Sequence, residues 1–161
     1  MKSMMIPMMI GATMLAVSAA AQVTTPADFV KKAGAGDLYE TTSSKLVLQT
    51  TKNPKVRSFA QMMVTDHQKS TADVKAAAGQ ARVAPAPPKL DTEQQQMVTQ
   101  LRGQTGAARD TAYIEQQKTA HQKALALHQG YASSGSAAPL KAAAAKIAPV
   151  VQHHIDMLQA M

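Results

Sequence analysis

The sequence predicts an all-α protein, and three observations support this fold class. The chain is rich in alanine, glutamine and lysine, which favour helices, and it has no run of β-branched residues that would suggest a strand. Small and apolar residues recur at steps of three and four along four long segments, which is the spacing of one helix face. The 161 residues include no cysteine, so disulfides and thiolate metal sites are excluded and packing must hold the helices together.

The N-terminus has the features of a secretory signal peptide. Lys2 precedes an apolar run that ends near Val17, and small residues follow up to Ala21. The run is shorter than the roughly 20 residues that span a bilayer, and the A-x-A pattern predicts cleavage after Ala21. We therefore expect residues 1–21 to be removed and residues 22–161 to form one periplasmic domain that has no transmembrane segment.

Proline and asparagine mark the first two helices of this domain. Pro26 follows Thr25, and a proline directly after a capping residue is typical of a first helical turn. Asn53 and Pro54 separate the first helix from the second, with Asn53 as the predicted cap. Because this connection is short, the two helices are expected to run antiparallel.

The connection between the second and third long helices is of a different kind. Residues 82–89 contain three prolines and predict a stiff, extended segment. A short helix should follow from about Asp91 to Arg102 and end near Gly103. A connection of this length can cross the whole bundle, so it does not force neighbouring helices to be antiparallel.

Serine and glycine in residues 133–136 mark the turn between the last two long helices. Pro139 fits the first turn of the final helix, where its missing N–H group costs nothing. Pro149 lies within that helix and predicts a bend, because it removes one backbone hydrogen bond.

Charge and composition narrow the classes of partner. The formal net charge is +7, and removal of the leader takes away one positive charge. The lysines and arginines form no run and the five aromatic residues are scattered, so nucleic-acid binding is not expected. A basic surface favours an anionic component of the cell envelope. Six of the eleven methionines belong to the leader, so the methionine count does not indicate a copper site.

Four polar residues interrupt the apolar stripes, one on each long helix: Glu40, His67, His121 and His154. At about 1.5 Å per residue from the connecting turns, all four fall near the middle of the predicted bundle. Three imidazoles and a carboxylate suit a divalent transition metal such as zinc or iron. A metal-free polar network that fixes the helix register is the alternative, and pairs that never meet are a third outcome.

Three neighbouring polar residues are not expected to join this cluster. Asp66 lies next to His67 but about 100° around the helix, and His153 should point away if His154 points inward. His128 is two turns beyond His121 and should lie nearer one end of the bundle.

Segments 56–67, 113–121 and 147–154 resemble a known family, domain of unknown function 4142, and the stretch FA-x-MMV-x-DH that ends at His67 is the most specific part. This family consists of exported bacterial proteins, often labelled outer membrane proteins and placed among the ferritin-like bundles. The resemblance extends from about Asp28 to Leu158. It implies a ferritin-like four-helix bundle with an extra short helix in the connection between helices two and three, and it makes Glu40, Asp66, His67, His121 and His154 family-like polar residues.

The resemblance implies no activity. Di-iron bundles use paired Glu-x-x-His motifs, whereas Glu115 precedes His121 by six residues. One hypothesis is a periplasmic binding or storage protein that takes a divalent metal through the Glu/His cluster, in a role such as envelope stress. The alternative is a structural or interaction protein of the envelope. An enzyme is the least supported class, because no serine or threonine nucleophile with a histidine base and an orienting acid is visible.

Overall fold

The computed structural model describes residues 24–84 and 87–161, so the predicted cleavage site after Ala21 lies outside the described residues. Within them the chain forms five helices and no strand, which confirms the all-α prediction: α1 (Pro26–Leu48), α2 (Pro54–Gln80), α3 (Thr92–Arg102), α4 (Gly106–Ser134) and α5 (Ala138–Gln159). None of the helices in residues 24–84 and 87–161 is long and apolar enough to cross a membrane.

The first two helices begin where the capping signals predict. The Thr25 side chain accepts a hydrogen bond from the Asp28 N–H group, and the Asn53 side chain accepts from the N–H groups of Lys55 and Val56. These bonds satisfy backbone donors that have no partner inside the helix. Each cap is followed by a proline in the first turn, as the sequence predicts.

The short helix α3 is bounded by equally local signals. Asp91 and Gln94 form a reciprocal capping box at its start, and Gly103 caps its end. Only Val98 and Leu101 of α3 are buried. The helix packs against α1 and α4, so it covers one side of the bundle.

The four long helices form a closed ring of contacts. The pairs α1–α2 and α4–α5 pack most extensively, and α1 also packs on α4 while α2 packs on α5. The start of α4 lies at the end of α1, where the Gly106 N–H group donates to Thr50 Oγ1 at 3.2 Å. Since α2 runs back from that end, the chain from α2 to α4 must cross the length of the bundle.

The final helix contains both predicted prolines. Pro139 lies in its first turn, and Pro149 lies inside it. The helix remains continuous from Ala138 to Gln159 across Pro149. The bend at this position therefore stays a prediction.

The core consists of two hydrophobic clusters at the two ends of the bundle. The first includes Phe29, Val74, Tyr131, Leu140 and Ile147. The second includes Val47, Phe59, Met63, Leu101, Tyr113 and Leu158. Along the helices, a layer of buried polar residues falls between the two: Asp37, Glu40, Ser43, His67, Gln117, His121 and His154.

Candidate metal centre

Three histidines from three different helices meet inside this polar layer. His67 belongs to α2, His121 to α4 and His154 to α5, and their exposed fractions are 5%, 0% and 1%. One ring nitrogen of each histidine lies within 4.8 Å of one from each of the others. The prediction that they share one level of the bundle agrees with this geometry.

The hydrogen bond of His121 fixes its tautomer. Nδ1 of His121 lies 3.0 Å from the carbonyl oxygen of Gln117, one turn earlier on α4. A carbonyl can only accept, so Nδ1 carries the hydrogen and Nε2 presents a lone pair in the neutral ring. That Nε2 lies 3.3 Å from Nδ1 of His154.

His154 is oriented by a carboxylate on the neighbouring helix. Its Nε2 lies 3.0 Å from Oδ2 of Asp66, and a carboxylate accepts, so Nε2 carries the hydrogen and Nδ1 presents the lone pair. The lone pairs of His154 and His121 therefore face each other, which is unfavourable unless a proton or a metal ion lies between them. Two nitrogens bound tetrahedrally to Zn²⁺ at 2.0–2.1 Å are separated by about 3.3 Å, close to the separation seen here.

His67 follows the same pattern with a different acid. Its Nδ1 lies 2.9 Å from Oδ1 of Asp37, whose Oδ2 accepts a hydrogen bond from Thr71 at 3.0 Å. Nε2 of His67 is buried and has no hydrogen-bond partner. Each of the three histidines thus has one nitrogen held by an acceptor and one left free, which is the arrangement that supports metal-binding imidazoles.

Glu40 lies beside the three histidines and not among them. Its Oε1 is 3.6 Å from Nδ1 of His121, the nitrogen that faces away from His154, and its Oε2 is buried without a partner. Burial raises the pKa of Glu40 to about 7, and the charge of nearby His67 partly opposes that rise. The role of Glu40 as a metal ligand stays a prediction.

Burial also sets the charge state of the histidines. It lowers the pKa of His121 to about 3 and that of His154 to about 4, with nearby His67 adding to both shifts. Burial acts in the same direction on His67, but the hydrogen bond that His67 donates to Asp37 and the charge of Glu40 outweigh it and raise its pKa. His121 and His154 are therefore neutral at pH 7, which is the form that binds metals.

The remaining buried histidine stands apart from this centre. His128 packs edge-on against Phe29, with ring centroids 5.5 Å apart, in the first hydrophobic cluster. Its position towards one end of the bundle agrees with the prediction. Phe59 of the second cluster closes the other side of the centre, 6.3 Å from the rings of both His121 and His154.

Two carboxylates that orient the histidines were not predicted in that role. Asp66 was expected to face away, and its 100° offset does direct it out of the centre, but towards α5, where it holds His154. Asp37 was not singled out at all. It lies three residues before Glu40 and four after Ala33, a spacing on the buried face of α1 that could have identified it.

Further hydrogen bonds extend the polar layer between α1 and α4: Ser44–Tyr113 at 2.7 Å, Gln117–Ser43 at 3.1 Å and Tyr39–Gln116 at 2.9 Å. Gln116 also donates to the Met97 carbonyl and the Gln100 side chain of α3. These hydrogen bonds therefore connect α1, α3 and α4 even without a metal.

Comparison with known proteins supports the fold and identifies the family. Two solved structures are similar over 84% of this chain: a DUF305 protein from Streptomyces coelicolor, provisionally described as secreted, and a DUF305 fragment from Deinococcus radiodurans. The matches cover 89% and 93% of those chains, with TM-scores of 0.69 and 0.71 and identities of 12% and 16%. At such identities the likeness shows a shared helical fold alone.

No curated protein matches the chain. The family described as Domain of unknown function (DUF4142) matches residues 12–161, which is nearly the whole sequence. The match confirms the resemblance carried by the segments around His67, His121 and His154. The chain therefore belongs to the DUF4142 family.

Proposed function

We propose that this protein binds a divalent transition metal, with Zn²⁺ as the best fit, at the centre formed by His67, His121 and His154. The observation that carries the proposal is the 3.3 Å separation of His121 Nε2 and His154 Nδ1, two buried nitrogens in rings whose other nitrogens face acceptors. Each of the three rings is held by an acceptor at its other nitrogen, so little reorganisation is needed to bind an ion.

The donor set favours zinc over the other candidate ions. Mg²⁺ and Ca²⁺ prefer oxygen ligands, whereas the free atoms here are imidazole nitrogens. Non-haem Fe²⁺ sites commonly combine two histidines with a carboxylate, and Glu40 lies behind His121 instead. Three protein nitrogens would hold Zn²⁺ and leave a fourth position for water or a small anion.

The burial of the centre favours binding or storage over catalysis. Two surface cavities of about 460 and 250 Å³ occur in the described part of the chain, and neither is lined by any of the three histidines. The three buried histidines offer little room for a substrate. This burial supports the proposal of a metal-binding protein over that of a hydrolase.

The cellular setting is also proposed. The signal-peptide features of residues 1–21 support export, as does the provisional description of the Streptomyces relative as secreted. We propose that the chain is cleaved after Ala21 and resides in the periplasm. The same proposal includes a ferritin-like bundle and a role in envelope stress.

Thermal unfolding of metal-free protein tests the binding. An ion that binds only the folded state stabilises it by about 2.7 kcal/mol when its free concentration is one hundred times Kd. We expect Zn²⁺ or Co²⁺ to raise Tm by several degrees and Mg²⁺ to leave it unchanged. Co²⁺ should also develop the visible absorption of a tetrahedral nitrogen site.

Matched variants separate a metal effect from a general loss of stability. His121→Ala should abolish the rise in Tm on adding metal. His128→Ala removes another buried imidazole of α4, and the metal should still raise the Tm of this variant. A wild-type protein whose Tm does not respond to any of these ions would refute the proposal.

A second candidate function is structural, and the hydrogen bonds between α1 and α4 favour it. Pairs such as Ser44–Tyr113 can fix the helix register without an ion. In that case metals leave Tm unchanged and His121→Ala still destabilises the fold. The protein should then be retained less on anionic envelope polymers as salt is added, because salt screens the attraction between its basic surface and the polymer.

A further inference from the structure

We propose that Asp66, together with the outer face of His154, is the point at which a divalent cation reaches the three-histidine centre. This inference rests on the proposed metal binding and adds how the ion enters. Its basis is the position of one carboxylate that is in contact with both solvent and a buried ring.

Burial isolates the three histidines from solvent, so an ion must pass at least one side chain. The His154 side chain is 1% exposed, whereas that of Asp66, bonded to it at 3.0 Å, is 34% exposed. A single side chain therefore separates solvent from the centre along this path. A carboxylate at such a position attracts cations and raises their local concentration.

His154 is suited to pass an ion inward because its two nitrogens face opposite sides. Nε2 faces Asp66, and Nδ1 faces His121 inside the centre. Along the proposed path, this one ring lies between the carboxylate and the centre. The neighbouring His153 is exposed, with its ring centroid 6.4 Å from that of His154, and it adds an imidazole at the same surface. A carboxylate beside an imidazole favours a transition metal over Mg²⁺.

Asp37 offers the obvious competing path and is less suited to it. It holds His67 as Asp66 holds His154, but its side chain is only 5% exposed and both its oxygens are occupied. The groove above it, of about 250 Å³, is lined by Lys45, whose positive charge opposes a cation. Asp37 and Asp66 thus each accept a hydrogen bond from one histidine, but only Asp66 has a substantially exposed side chain.

Stopped-flow uptake of Co²⁺ by metal-free protein tests the inference. The rate of tetrahedral absorption should fall at least about tenfold in Asp66→Asn, which keeps a hydrogen-bond acceptor for His154 and removes the charge. Asp37→Asn should weaken binding by about tenfold through faster release, with an unchanged association rate. Asp73→Asn removes an exposed charge elsewhere on α2 and should change neither rate.

The outcomes are distinct. An Asp66→Asn association rate equal to that of wild type or of Asp73→Asn overturns the proposed path. Slower association in Asp37→Asn alone also overturns it, and assigns uptake to the groove between α1 and α2. A wild-type protein that takes up no Co²⁺ refutes the metal site itself, and with it this inference.

Discussion

At the scale of single residues, the buried histidines show how burial and hydrogen-bond partners set the pKa of an imidazole. His121, His154 and His128 are all buried, and burial lowers the pKa of each below its ordinary value of 6.5. His67 differs because Asp37 accepts its hydrogen, which raises its pKa despite burial. Buried imidazoles of one bundle therefore differ in the direction of their pKa shift, according to the carboxylates that lie beside them.

His128 allows the consequence for stability to be measured away from the proposed metal site. Burial lowers its pKa to about 4, while Asp37 opposes and His67 adds to the shift. Between pH 6.5 and 4 the unfolded chain therefore binds a proton that the folded chain does not, and stability falls as pH falls. Between pH 7 and pH 5, the free energy of unfolding should decrease by roughly 1–2 kcal/mol less in His128→Leu than in wild type, as measured by urea unfolding. Identical pH dependence in both proteins would contradict this assignment.

At the scale of helices, the starts of α1, α2 and α3 are local features of the sequence. Each depends on a cap within three residues of the first turn: Thr25, Asn53 and Asp91. Such signals do not require knowledge of the fold, which explains why the helix limits were predictable.

The caps of α2 and α4 provide a matched test. The Asn53 side chain accepts two backbone hydrogen bonds, whereas Thr105 at the start of α4 makes none with its side chain. Asn53→Ala should therefore destabilise the protein by about 1 kcal/mol, and Thr105→Ala by much less. Chemical denaturation measures both. Equal losses would show that the cap of α2 has no special role.

The candidate site was less predictable than the helices. His67, His121 and His154 could be identified because they interrupt apolar stripes, and their meeting followed from similar heights. The contact of Asp66 with His154 and the distance of Glu40 from the free nitrogens depend on how each helix is rotated about its axis. Packing between helices sets that rotation. The stripe of apolar residues along one helix predicts it only to within tens of degrees.

At the scale of the whole molecule, buried side chains are unevenly distributed over the helices. The long helices surround the two hydrophobic clusters and the polar layer, but α3 buries only Val98 and Leu101. Few buried contacts favour local opening. The helix that covers the α1–α4 side should therefore open more readily than the bundle beneath it.

Amide hydrogen exchange tests this distribution. Exchange should be faster in α3 than in the central turns of the long helices. Zn²⁺ should slow exchange around His67, His121 and His154, which would be tied together, and should leave α3 nearly unchanged. Uniform protection of all five helices by Zn²⁺ would contradict this expectation.

The distribution of the three histidines over α2, α4 and α5 also has a consequence in time. A polypeptide emerges from its N-terminal end, and His154 lies on the last of the five helices to appear. Neither the nascent chain nor a chain threaded unfolded through a translocation channel can bring the three histidines together. Under the proposed function, the metal therefore loads in the compartment in which folding is completed, and a bound ion would show that α5 has packed against α2 and α4.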